Sequence, residues 1–133
     1  MTSKALIYYS LKGNTKGIFD NLDLSQWDVY DLRKTINIKL NKYDTILIGT
    51  STYGRGAPPL PFFQLKEELI ELTNKQIGLF GSGRTEYEYF CGALDVLEEV
   101  LRPKNKILFK FKFEGYPKYI EKCQFKKIIE ELG

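Results

Sequence analysis

The chain has 133 residues, 43% apolar and 28% charged, with a net charge of +3; this is enough for one domain with its own core, and the composition of an ordinary globular protein. It has no histidine and only two cysteines, Cys91 and Cys123, which excludes Ser-His-Asp and Cys-His catalysis and leaves no zinc set. The small net charge gives no argument for nucleic acid, no apolar run approaches the ~18–20 residues of a membrane span, and "MTSK" carries no signal-peptide pattern. The expectation is a single cytoplasmic domain over 1–133, binding neither nucleic acid nor membrane, with both thiols reduced and partly buried.

"KALIYYS" (4–10) is nearly continuous in apolar residues, as a strand buried on both faces requires. "TKGIFDNL" (15–22) sets Ile18, Phe19 and Leu22 at helical spacing. "WDVYDL" (27–32) alternates Trp27, Val29 and Leu32 with polar residues, predicting a second strand. A weak helical connection is expected at 33–42. "YDTILIGT" (43–50) predicts a third strand, and "STYGRGAPPLP" (51–61) is loop by its Gly and Pro content. Phe62, Leu65, Leu69 and Leu72 form a helical stripe, and "QIGLFGSG" (76–83) predicts a fourth strand. Phe90, Ala93, Leu94, Leu97, Val100 and Leu101 make a clean amphipathic helix stopped by Pro103. "KILFKFKFEG" (106–115) alternates strictly, with Phe109, Phe111 and Phe113 on one face. Lys110 and Lys112 lie on the other, as on an edge strand guarded by outward lysines. Phe125, Ile128, Ile129 and Leu132 belong to a last helix.

Alternating strands and helices imply an α/β fold, a parallel sheet with helices on both faces. Ligands bind such sheets beyond the carboxyl ends of the strands. Three loops leave those ends, at 10–14, 50–60 and 82–88. The first, "SLKGNT", matches neither G-x-G-x-x-G nor the P-loop pattern. It is short enough to curl backbone N–H groups around one phosphate at a helix N-terminus, with Ser10, Asn14 and Thr15 adding donors and Gly13 permitting close approach. Equally, Asn14 and Thr15 could simply cap the helix. In the second loop, Tyr53 precedes Gly54 and could lie over a planar ligand or be a surface tyrosine in a turn. The third offers Tyr87 and Tyr89, with packing on the following helix as the plain alternative.

These stretches, "YYSLKGNT", "TSTYGRGAPP" and above all "LFGSGRTEYEYFCGALDVLEE", together resemble the short-chain flavodoxins, in order and over essentially the whole chain. The resemblance implies a doubly wound five-stranded parallel sheet in the order 2-1-3-4-5 with bound FMN. It implies an electron carrier rather than an enzyme, working through the semiquinone/hydroquinone couple, with no catalytic side chain and no metal. Ser10, Gly13, Asn14 and Thr15 would hold the phosphate, with Leu11 and Lys12 in the same loop. Ser51 and Thr52 would lie beside phosphate and ribityl chain. Tyr53 and Tyr87 would cover the two faces of the flavin, and the Gly54-Arg55 peptide would face its N5. Ser82, Gly83 and Arg84 would line the pyrimidine edge, and Tyr89 would lie near the ribityl chain. The implied partners are a reductase donor and an oxidoreductase acceptor, met by a monomer.

Three departures stand out. Leu11 and Lys12 replace phosphate-loop hydroxyls, Arg55 and Arg84 stand where the family usually has acids, and the chain is basic. A neighbouring family, the flavodoxin-like activator of manganese ribonucleotide reductase, shares the length, the compact 50s region and an ending like "ILFKFKFEG". Its third loop, however, normally lacks the form "GRTEYEYFCG". A response-regulator receiver needs an Asp at the end of strand three, and "ILIGTS" has none. A low-molecular-weight tyrosine phosphatase needs C-x-x-x-x-x-R after strand one, which is absent. A flavin-free binding module of the same fold is the remaining alternative.

Overall fold

The computed structural model describes residues 3–10, 12–51, 59–83 and 92–132. Five strands, β1 (Lys4–Tyr9), β2 (Asp28–Asp31), β3 (Thr45–Ser51), β4 (Gln76–Gly83) and β5 (Lys106–Glu114), form one sheet in the order β2-β1-β3-β4-β5. Every neighbouring pair is parallel, as expected. The helices are α1 (Asn14–Gly17), α2 (Leu60–Gln64), α3 (Lys66–Glu71), α4 (Gly92–Leu101) and α5 (Tyr119–Leu132).

Two cores follow from the period of two along the strands. Ala5 and Ile7 of β1, Ile46 and Ile48 of β3, and Ile77 and Leu79 of β4 point to one face, against Phe62, Leu69, Leu94, Leu97 and Leu101 of α2, α3 and α4 and Leu65 between α2 and α3. Leu6 and Tyr8, Leu47 and Phe80 point to the other, with Ile18, Phe19, Trp27, Phe125 and Ile129. Phe125 is fully buried and meets the rings of Phe80, Phe109 and Phe111 at centroid distances of 5.0, 6.1 and 5.6 Å.

Several sequence expectations are corrected. The 33–42 segment is not helical; Ile38 and Leu40 are buried between exposed Asn37, Lys39 and Asn41, a two-residue alternation that extended chain satisfies and a helix does not. The 15–22 helix shrinks to the single turn of α1. Beyond it, Ile18 N–H bonds Thr15 O, Phe19 N–H bonds Lys16 O and Leu22 N–H bonds Phe19 O, the tighter three-residue spacing of 3₁₀ turns. Ile18 and Phe19 still reach the core. The stripe beginning at Phe62 is interrupted at Leu65 (φ −92°, ψ 6°), which separates α2 from α3. Val29 is exposed although Trp27 and Leu32 are buried. Cys123 is exposed, not partly buried, and Cys91 lies outside the described residues.

The lysines of β5 keep the outer face expected of an edge strand, but they have partners there. A register shift opposite Ile77 and Gly78 pairs Gly78 with Phe109, and the phenylalanines face α5 as expected. On the opposite face Lys110 is exposed and Lys112 half-exposed, and both meet carboxylates of α4. Lys110 reaches Asp95 and Glu98 at 2.7 Å each, and Lys112 reaches Asp95 at 3.1 Å. α4 runs beside the edge strand, so its carboxylates come within reach of these lysines. Burial raises the Asp95 carboxyl, but hydrogen bonds from Lys110 and Lys112 outweigh it and leave the group below its usual range.

Candidate functional site

The strand order reverses between β1 and β3, so the crevice beyond their carboxyl ends is where the fold leaves room for a ligand. Ser10 follows β1, Ser51 ends β3, and Ser82 lies opposite Ser51 in β4. Thr15 of α1 sits above them, fully buried. Its Oγ1 lies 3.1 Å from Ser51 Oγ and 3.1 Å from Ser82 Oγ. Three hydroxyls own three protons, and two hydrogen bonds use two of them. One O–H therefore remains to donate outward.

Ser10 is nine-tenths buried or more, and its Oγ accepts the Lys16 N–H at 3.1 Å. Because that oxygen acts as an acceptor there, the Ser10 O–H is also left to donate. Gly13 adopts φ +84°, and a Cβ built on it would meet nothing within 4 Å. Glycine is required here by the left-handed backbone, and the space above it is open. The Gly13 carbonyl accepts the Gly17 N–H at 2.9 Å, closing the turn. Lys12 is exposed and Asn14 half-buried.

The start of the helix uses neither Asn14 nor Thr15 as a side-chain cap. The N-cap of α1 is Gly13, with no side-chain cap hydrogen bond. Thr15 is engaged with the neighbouring strand ends rather than with its own helix. The four-residue α1 is also too short to offer much macrodipole. Attraction for an anion has to come from N–H groups, hydroxyl protons and nearby cations. Such donors around an open glycine turn fit a terminal phosphate monoester.

The β3 and β4 ends approach closely here. Thr50 O lies 2.1 Å from where a Gly81 Cβ would stand, and Thr50 Oγ1 donates to Ser51 O at 2.9 Å. Tyr8, just before the loop, has its phenol pushed up to about 12 by burial and then by Asp31, so it stays neutral at working pH. Among the described residues no group of His, Cys, Asp and Glu is placed to hold a metal, and no helix is long and apolar enough to cross a membrane.

Of the residues expected at the site, the structure brings Thr15, Ser51 and Ser82 into one hydroxyl cluster. Ser10, Lys12, Gly13 and Asn14 stand in the adjoining turn, and Gly83 closes β4. Leu11, Thr52, Tyr53, Gly54, Arg55, Arg84, Tyr87 and Tyr89 lie outside the described residues. One residue was missed by sequence reasoning. Arg33, after β2, donates from Nη1 to Ser10 O at 3.4 Å. No local pattern marks it, because its partner is 23 residues away.

The flavodoxin family model matches residues 6–109. A probable flavodoxin 2 of Bacillus subtilis is 32% identical over 128 residues, covering 88% of this chain and 85% of that protein. The crystal structure of oxidised flavodoxin 2 from Bacillus cereus superposes with a TM-score of 0.79 at 30% identity, covering 98% of this chain and 99% of that one. A Fusobacterium nucleatum flavodoxin, crystallised bound to flavin mononucleotide, shares the fold with a TM-score of 0.75 at 17% identity, over 99% and 97% of the two chains. None of these favours the ribonucleotide reductase activator. With the family model spanning most of the chain, and the sheet in the order that flavodoxins exemplify, this protein belongs to the flavodoxin family.

Proposed function

We propose that the protein binds one FMN non-covalently and passes single electrons between redox proteins. The observation that carries this is the Thr15–Ser51–Ser82 hydroxyl cluster, with Thr15 and Ser82 buried, beside a left-handed, open Gly13. When bound, FMN supplies the one-electron chemistry, while the polypeptide supplies binding, orientation and electrostatics. Ser10, Leu11, Lys12, Gly13, Asn14 and Thr15 form the phosphate loop, Ser51 and Thr52 flank it, and Ser82, Gly83 and Arg84 border the ring. A terminal monophosphate suits this loop, and the chain has no second mononucleotide half for the adenosine of FAD. The proposal extends to a monomer in the cytoplasm, working between a reductase donor and an oxidoreductase acceptor. The free, exposed thiol of Cys123 suits a reducing compartment.

The test is flavin content followed by a redox titration. One FMN per chain and two widely separated one-electron potentials are expected. Absence of flavin would indicate a binding module, and nearly coincident potentials would favour the reductase activator.

Tyr53 and Tyr87 are assigned to the two faces of the ring. Replacing either with Ala should brighten bound-flavin fluorescence and weaken affinity by ~0.5–1.5 kcal/mol beyond lost burial. Unchanged fluorescence in both variants would show that other residues cover the flavin.

Arg55 and Arg84 should set the lower potential. Guanidinium stays protonated at any working pH, so each favours the state of the site carrying an extra electron. At roughly 8 Å and an effective dielectric near 40, one charge is worth ~1 kcal/mol before screening, and ~1.4 kcal/mol corresponds to ~59 mV for one electron. Arg55→Asp with Arg84→Asp reverses two charges, about four unit charges in all or ~170 mV before screening. After screening by solvent it should lower the second one-electron potential by on the order of 100 mV at low salt, and by less as salt rises. A potential that does not move would make the pair part of a docking surface instead.

A further inference from the structure

We infer that Arg33 is a positioning residue for the phosphate loop, holding Ser10 in place and adding to the preference for a phosphorylated over an unphosphorylated flavin. This rests on the FMN reading above.

The turn after β2 is built to deliver this side chain. Asp31 Oδ1 accepts the Arg33 N–H at 2.9 Å. Asp31 O accepts the N–H groups of Lys34 and Thr35 at 2.9 and 3.1 Å, and the Leu32 N–H bonds Tyr8 O at 2.8 Å. The last bond ties the turn to β1 two residues before the loop begins. From there the guanidinium donates to Ser10 O. Ser10 is thus held from two sides, its carbonyl by Arg33 and its hydroxyl oxygen by the Lys16 N–H. These anchors fix the residue from which the loop departs toward Gly13.

Charge adds to geometry. Lys12 and Arg33 are both exposed, but the lysine has a flexible stem that gains little by ordering. Arg33 carries a fixed charge on a planar group already bonded to the loop backbone. Asp31, whose Oδ1 accepts the Arg33 N–H, balances part of that charge. A ligand dianion at the loop would meet a cation that needs no rearrangement. Riboflavin, which lacks the phosphate, would gain nothing from it.

The experiment is a titration of apoprotein with FMN and with riboflavin at several salt concentrations, for the natural chain, Arg33→Gln and Arg33→Lys. Arg33→Gln should weaken FMN about five- to tenfold, leave riboflavin within about twofold, and flatten the salt dependence of FMN binding. Arg33→Lys should restore the salt dependence and part of the affinity. Urea midpoints are measured alongside. Equal weakening of both flavins, with or without a shifted midpoint, would overturn the inference by reducing Arg33 to a structural link. Unchanged FMN affinity would overturn it as well. A natural chain that binds riboflavin as tightly as FMN would instead overturn the FMN reading itself.

Discussion

Gly81→Ala is expected to cost about 3 kcal/mol or more of folding stability, far beyond the usual effect of one added methyl group. The new Cβ would stand 2.1 Å from Thr50 O, with the Thr50 carbonyl carbon at 3.3 Å and Leu94 Cδ2 at 3.4 Å on another side. The nearest obstacle is backbone in the neighbouring strand, so rotamer changes cannot relieve it. Either β3 and β4 part at Thr50 and Gly81, or the Thr50 peptide turns. Both would displace Ser51 and Ser82, so FMN affinity should fall along with the urea midpoint. Gly49→Ala makes a useful comparison, because its Cβ would meet the Phe80 ring at 2.2 Å, a side chain rather than a strand. A Gly81→Ala variant with a near-natural midpoint would mean that the strands do not approach this closely.

Thr15→Val should separate the site from the scaffold. Valine keeps the shape and the buried methyl contacts but removes the hydroxyl that joins Ser51 and Ser82. Ser82 is buried, so an unpaired hydroxyl there should cost about 1–3 kcal/mol of stability. The lost donor and the slackened strand ends should weaken FMN about 10- to 100-fold, since hydrogen bonds to charged groups are worth about 1.5–3 kcal/mol. Riboflavin should lose much less, and Thr15→Ser should recover most of both effects. If FMN and riboflavin weaken equally, Thr15 serves only to hold the strand ends together.

The sequence by itself determined the sheet and its faces. Continuous apolar runs such as "ALIYY" and "TILIG" mark strands buried on both sides, and their alternation assigns Ile7 and Ile48 to one core and Leu6 and Leu47 to the other. It also gave the loops that leave the carboxyl ends, because Gly and hydroxyl residues at strand exits are local signals. Where propensity was weak the reading failed. At 33–42, Ile38 and Leu40 obey the sheet-like period that packing imposes, not the helical one. Short-range pattern also could not tell that Lys110 and Lys112 pair with Asp95 of α4, because a lysine with and without a carboxylate partner occupies the same position in an alternating strand. Only the tertiary structure placed Thr15 against Ser51 and Ser82. Capping and ligand binding ask for the same residue type at the same place, and the partners that the hydroxyl takes instead of a cap are 36 and 67 residues away. Arg33 is the extreme case. Its bond to Ser10 exists because β2 lies beside β1 in space, and that adjacency comes from how two covered faces pack, not from any stretch of neighbouring residues.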